Sequence, residues 1–90
     1  MRKYTLSKRA VADLDEIAVY TKRNWGSNQA RAYRDHLKKC IDALVSGSGQ
    51  AKDLSALRPG LRMARCQHHY VMIVLRSDAP TIVIGVLHER

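Results

Sequence analysis

Several features are missing from this sequence, and each absence narrows what the chain can be. No apolar run approaches the ~20 residues of a membrane-spanning helix. No apolar stretch follows Met1 as in a secretion signal, so neither insertion nor export is expected and the chain reads as cytoplasmic. The two cysteines, Cys40 and Cys66, bring no CxxC and no Cys/His cluster at zinc-ligand spacing. No metal or cofactor is expected, and the pair reads as two reduced thiols in the core of a cytosolic protein. Aromatic side chains are scarce, one Trp and four Tyr with no Phe, too few for an obvious base-stacking groove. Repeats, low-complexity tracts and linker-like boundaries are also lacking. A chain this short buries only about 60–65% of its unfolded surface, which excludes a two-domain enzyme, a large Rossmann unit or a TIM barrel. One domain over residues 1–90 is expected.

Acidic residues are in short supply too: 8 Asp plus Glu stand against 16 Lys plus Arg, a formal net charge of +8. Residues 1–26 carry six basic and three acidic groups, residues 27–50 four and two, and residues 51–90 six and three. The excess is spread evenly, so it belongs to a folded surface and not to a tail. With 46% hydrophobic residues a packed core is assured. A basic surface of this kind favours an anionic partner such as nucleic acid or an acidic protein.

Tyr4-Thr5-Leu6 reads as a short strand, after which Ser7 fits an N-cap. Ala10, Leu14, Ile17, Ala18 and Thr21 then share one side of a helix that Gly26 ends. Ser27 or Asn28 caps a second helix with the stripe Ala30, Tyr33, Leu37, Cys40, Ile41 and Leu44, and the short joint implies an antiparallel hairpin. A flexible loop follows, from Ser46-Gly47-Ser48-Gly49-Gln50 to Arg58-Pro59-Gly60. Leu61–Cys66 alternates, whereas 70–75 and 82–87 are unbroken apolar runs separated by Ser77-Asp78-Ala79-Pro80. The order is β-α-α-β-β-β, an α+β domain with the helical hairpin packed on one face of a small, mainly antiparallel sheet.

Strands covered on one face alternate, and strands covered on both are continuously apolar. Two helices shield only one face. With Val71, Ile73 and Leu75 turned to the helices, Tyr70, Met72 and Val74, together with Val83 and Leu87, fall on the other. An apolar surface without cover of its own marks an interaction site.

Asp13-Leu14, Ile17, Tyr20-Thr21, Trp25-Gly26, Gln29-Ala30, Tyr33 and Leu37 resemble the helical hairpin of ParE toxins, in the ParE/RelE superfamily of type II toxin–antitoxin modules. Lys52-Asp53-Leu54-Ser55, Leu61 to Cys66, His68-His69-Tyr70-Val71 and Val86 to Arg90 resemble the plasmid-stabilisation branch more closely still. The resemblance implies the same β-α-α-β-β-β fold and a toxin that poisons DNA gyrase by protein–protein contact. It also implies a ParD-like antitoxin whose acidic C-terminal segment wraps the toxin, with operator DNA reached only through that antitoxin. Relatives usually continue past His-Glu-Arg with Met-Asp and further residues, whereas this sequence stops at Arg90. Terminal segments are tied to toxicity in the family, so the departure bears on potency.

On this reading the antitoxin contacts are Tyr70, Met72, Val74, Val83 and Leu87, with Arg58, Arg62 and Arg65 gripping an acidic segment. Trp25, His88 and Arg90 are the target contacts, and no residue is catalytic. The alternative is a RelE-type endoribonuclease, which needs an acid, a base and cations on the phosphate. His68, His69 and His88 with Arg62, Arg65 and Arg90 supply those residue types. His68 and His69, read as consecutive strand residues, are expected on opposite faces and therefore not as a pair.

Overall fold

The structure, a computed structural model, describes residues 4–47 and 50–88. Ser48 and Gly49 of the expected loop, and Arg90 among the expected target contacts, lie outside them. The elements are β1 (Tyr4–Leu6), α1 (Lys8–Trp25), α2 (Ser27–Ser46), β2 (Lys52–Asp53), β3 (Leu61–Cys66), β4 (His69–Val74) and β5 (Thr81–His88). They form a five-stranded sheet in the order β1-β5-β4-β3-β2. β1 runs parallel to β5 and every other pair is antiparallel. The α+β architecture is the one read from the sequence, with one strand added.

That strand, β2, falls where only a loop was expected. It is two exposed residues pairing with Met63 and Arg62 of β3, and it buries no side chain that could leave a periodic signal. Its end is held locally: Asp53 accepts from the Ser55 amide at 2.8 Å. Hydrogen bonds from Ser55, with the Arg62 charge adding to them, keep this exposed carboxyl below the usual carboxylate range.

The hairpin is built as its residues dictate. The Ser7 hydroxyl accepts from the Ala10 amide at 3.0 Å and caps α1. Gly26, at φ 88°, donates to the Lys22 carbonyl and accepts from the Ala30 amide, so one residue ends α1 and opens α2. Residue preference alone puts the second cap at Ser27 or Asn28. A side chain with a Cβ resists this φ, so the glycine serves both helices and the joint shortens to a single residue.

Helix faces and one sheet face share the main core, in which Ala10, Leu37, Ile41, Val45, Val71, Ile73, Val83 and Val86 are all nearly inaccessible. Val83 is therefore not on the reverse face. Ile73 lies opposite Val83 and Met72 opposite Gly85, so Ile84 is an extra residue in β5. This bulge shifts the alternation by one and turns Val83 and Val86 to the same side. Backbone groups at the bulge are taken up by α1 and its cap: the Val86 amide donates to Asp13 Oδ2 at 3.0 Å, and the Ser7 hydroxyl donates to the Ile84 carbonyl at 3.1 Å. Asp13 also faces Arg9 at 3.5 Å.

The cysteines differ from the expectation as well. Cys40 on α2 and Cys66 at the end of β3 form a disulfide, their Cα atoms 6.0 Å apart. Both belong to inward-facing stripes, and packing α2 over β3 brings those stripes together. A separation of 26 residues in sequence conceals that proximity.

Candidate functional site

Three surfaces are candidates, and two of them carry residues singled out by the sequence. The first is the reverse face of the sheet. Leu61 and Val74 lie opposite each other in the ladder and are buried, 9% and 4% exposed, outside the main core cluster. Val74 is thus sealed within the chain and is not an open contact. Beside it, Tyr70 and Met72 are half-buried and Leu87 is 39% exposed. Tyr70 pairs with Leu87 and Met72 with Gly85, where no side chain shields the methionine. The reverse face is therefore closed at one end and open at the other.

The three arginines do not share that face. Arg65 alternates with Leu61 and Met63, but its guanidinium donates to the Gln67 carbonyl at 3.1 Å. Arg62 points the other way along β3, towards the Asp53 carboxylate, and Arg58 sits in the turn before Gly60. There the Leu75 amide donates to the Gly60 carbonyl at 2.8 Å, and a Cβ at Gly60 would collide with the Leu75 carbonyl. The turn is thus held through backbone to the residue that follows β4.

The second surface is a cleft of about 380 Å³ between the helices, of which the sequence carries no direct sign. Leu14, Ile17, Ala18, Leu37 and Ile41 make its floor, and Tyr4 and Leu6 of β1 reach its end. Arg34 and Lys38 of α2 stand on its rim, opposite Asp15 of α1. Burial, and after it the Asp42 carboxylate that accepts from its hydroxyl, pushes the Tyr4 phenol above its ordinary value.

The third surface is the hairpin tip, where Trp25 and His88 do come together. A cavity of about 270 Å³ is lined by Tyr20, Thr21, Trp25, Tyr33, His68, His69 and His88. Trp25 and Tyr20 meet edge to face at 5.8 Å and remain half-exposed. His69 pairs with His88 across β4 and β5, their rings 4.9 Å apart. The Tyr33 hydroxyl accepts from the His68 amide at 3.1 Å and lies 2.6 Å from Nδ1 of the buried His69.

The expected separation of His68 and His69 onto opposite faces does not hold. Gln67 and His68 form the turn between β3 and β4, with Gln67 at φ 59°, so strand alternation stops before His68. The bonds that assemble this end, Tyr33 to His69 and the disulfide beside it, join residues 36 and 26 apart. No short motif announces them. Among the described residues no group of three or more His, Cys, Asp or Glu could hold a metal ion, and no helix is long and apolar enough to cross a membrane.

Comparison with known proteins accounts for the whole chain. Residues 4–90 match the family described as ParE toxin of type II toxin-antitoxin system, parDE. A curated Toxin ParE from Escherichia coli is 48% identical over 90 residues, covering 100% of this chain and 87% of that protein. Toxin ParE1 of Caulobacter vibrioides is 35% identical over 89 residues, covering 99% of this chain and 91% of the relative. Among solved structures, a chain of the chromosomal ParDE TA system from P. aeruginosa superposes with a TM-score of 0.79 at 16% identity, covering 100% of this chain and 98% of its own. At that identity the likeness speaks for the fold.

Proposed function

The chain belongs to the ParE toxin family of type II toxin–antitoxin systems, and from that premise we propose that it acts in the cytoplasm by poisoning DNA gyrase through protein–protein contact. A ParD-like antitoxin neutralises it, and no side chain of its own does covalent chemistry. The observation that carries the antitoxin half of this reading is the inter-helix cleft. Its floor is apolar, its α2 rim is cationic, and the whole chain carries +8. An acidic amphipathic helix matches all three. Tyr70, Met72 and Leu87, with Arg65 beside them, offer a second apolar strip for the rest of the same segment. The cleft and the strip lie on opposite layers of the fold, so one antitoxin chain reaches both only by wrapping the toxin. For gyrase, the support is what the family resemblance implies, with Trp25 and His88 as the contacts exposed for it.

One observation favours the ribonuclease alternative: the imidazoles of His69 and His88 share a cavity wall. Against it, the Nδ1 of His69 is already engaged by Tyr33 and the ring is buried. That histidine joins α2 to β4 more readily than it shuttles protons. Purified gyrase separates the readings. The toxin is expected to block supercoiling while messenger RNA stays intact, and added antitoxin restores supercoiling. His69→Gln, which can still hydrogen-bond Tyr33 but cannot shuttle a proton, should leave most of that inhibition; its complete loss in a folded, antitoxin-binding variant, with RNA cleaved by the parent, would establish the nuclease instead.

A further inference from the structure

We infer that the cavity at the hairpin tip seats one unpaired base of a nucleic-acid strand, whose phosphates lie against Lys22 and Arg23. The chain holds five aromatic residues and four histidines. Three of those aromatics (Tyr20, Trp25, Tyr33) and three of the histidines (His68, His69, His88) line this one cavity. Aromatic scarcity in the sequence speaks against nucleic acid, but concentration at one spot reverses that argument. At about 270 Å³ the space falls just below the ~300–1,000 Å³ typical of ligand pockets. That volume is enough for a single planar ring. Trp25 and Tyr20 keep 53% and 54% of their surface in water, although large rings are among the side chains with most to gain from burial. A base stacks on such a face whatever its identity.

Charge sets the choice between a base and a protein side chain. Lys22 and Arg23 occupy the last turn of α1, Lys22 one turn before Trp25 and on the adjoining helix face. Glu16, one turn before Tyr20, lines the adjoining cavity. The tip therefore sets stacking surfaces beside the two cations that end α1, the two elements that hold single strands without reading their sequence. A duplex keeps its bases stacked and offers only phosphates to such a site. The inference deepens the reading of Trp25 and His88 as target contacts. It rests on that reading for which enzyme supplies the nucleic acid, and not for the binding itself.

Trp25 is the sole tryptophan, so its fluorescence reports directly on the cavity. The test titrates the full chain with a short oligothymidylate and, in parallel, a duplex of the same length. Quenching by the single strand, stronger than by the duplex, is expected. Tyr20→Ala and His88→Ala should each weaken binding about 5- to 150-fold, the worth of one stacked base. Lys22→Ala and Arg23→Ala should lower the slope of log K against log salt by about 0.7 for each phosphate that is no longer neutralised. Trp25→Phe, followed by anisotropy of a labelled oligonucleotide, should keep most of the affinity that Trp25→Ala removes, which separates a stacking role from misfolding.

Absence of quenching at low salt would overturn the inference. So would equal affinity for duplex and single strand that Tyr20→Ala leaves unchanged, since charge alone would then explain binding. Quenching by gyrase protein without any nucleic acid would assign the cavity to a protein side chain and overturn it too. Oligonucleotide binding that persists in a chain unable to inhibit gyrase would support the inference while removing the gyrase reading.

Discussion

The two faces of the same strands differ more than their residue types do. Towards the helices, Val71 pairs with Val86 and Ile73 with Val83, and all four are 0–4% exposed. On the reverse face, Tyr70 pairs with Leu87 and Met72 with Gly85, and the pairs stay partly open. Both sets are apolar and both lie in the middle of the sheet. What separates them is cover: α1 and α2 lie on one side, whereas the chain's own residues seal only the Leu61–Val74 end of the other. An apolar surface left in this condition is maintained for something outside the chain.

Substitutions can break that comparison, and the largest effect should come from the covered side. Ile73→Ala is expected to cost about 2–5 kcal/mol, the range for buried aliphatic truncations, measured by urea denaturation. Met72→Ala, its neighbour on the open side, should cost less than half as much yet lower antitoxin affinity. Equal reductions in stability would mean that the two faces are equally packed. Next in size is the disulfide, which closes a loop of 26 residues between α2 and β3. Reduction, or Cys40→Ser, should remove about 3 kcal/mol on the loop-entropy account, seen as a lower melting temperature in reductant. Two titratable thiols in the native protein would contradict the bond.

A smaller effect is expected at the bulge that sorts the faces. Asp13→Ala leaves the Val86 amide without its carboxylate and should destabilise the fold by about 1–3 kcal/mol. Asp13→Asn, which still offers an oxygen, should recover much of this in the same denaturation series. The smallest change in stability is expected on the open strip. Leu87→Lys should stay within about 0.5 kcal/mol of the parent, as surface substitutions do. Isothermal titration should nevertheless show at least a tenfold weaker antitoxin complex.

Much of this contrast is legible in the residues. Unbroken apolar runs at 70–75 and 82–87 declare two greasy faces, and Ser7 and Gly26 mark the helix ends where the structure has them. The side of each residue is less legible. Pleat alternation carries correctly from Val71 to Leu75 but fails in β5, because Ile84 is inserted and nothing in Ile82-Val83-Ile84-Gly85 says where. Val83 is misplaced for that reason. His68 escapes the alternation by lying in a turn. Cys40 and Cys66 meet because helix packing sets the distance between them, and β2 is held by backbone pairing that side-chain pattern does not encode. The family resemblance supplies what spacing cannot, the identity of the expected partner. It does not reveal the cleft or the cavity, which exist only once α1, α2 and the sheet are assembled.

The claim that the open strip is completed by the antitoxin can be tested by oxidative footprinting of the toxin, alone and in the antitoxin complex. Met72 and Leu87 should react readily in the free chain and become protected at least tenfold in the complex, while Val11 and Val19 on the outer side of α1 change little. If both strip residues are oxidised at the same rate with and without the antitoxin, the sheet face is not where the partner sits.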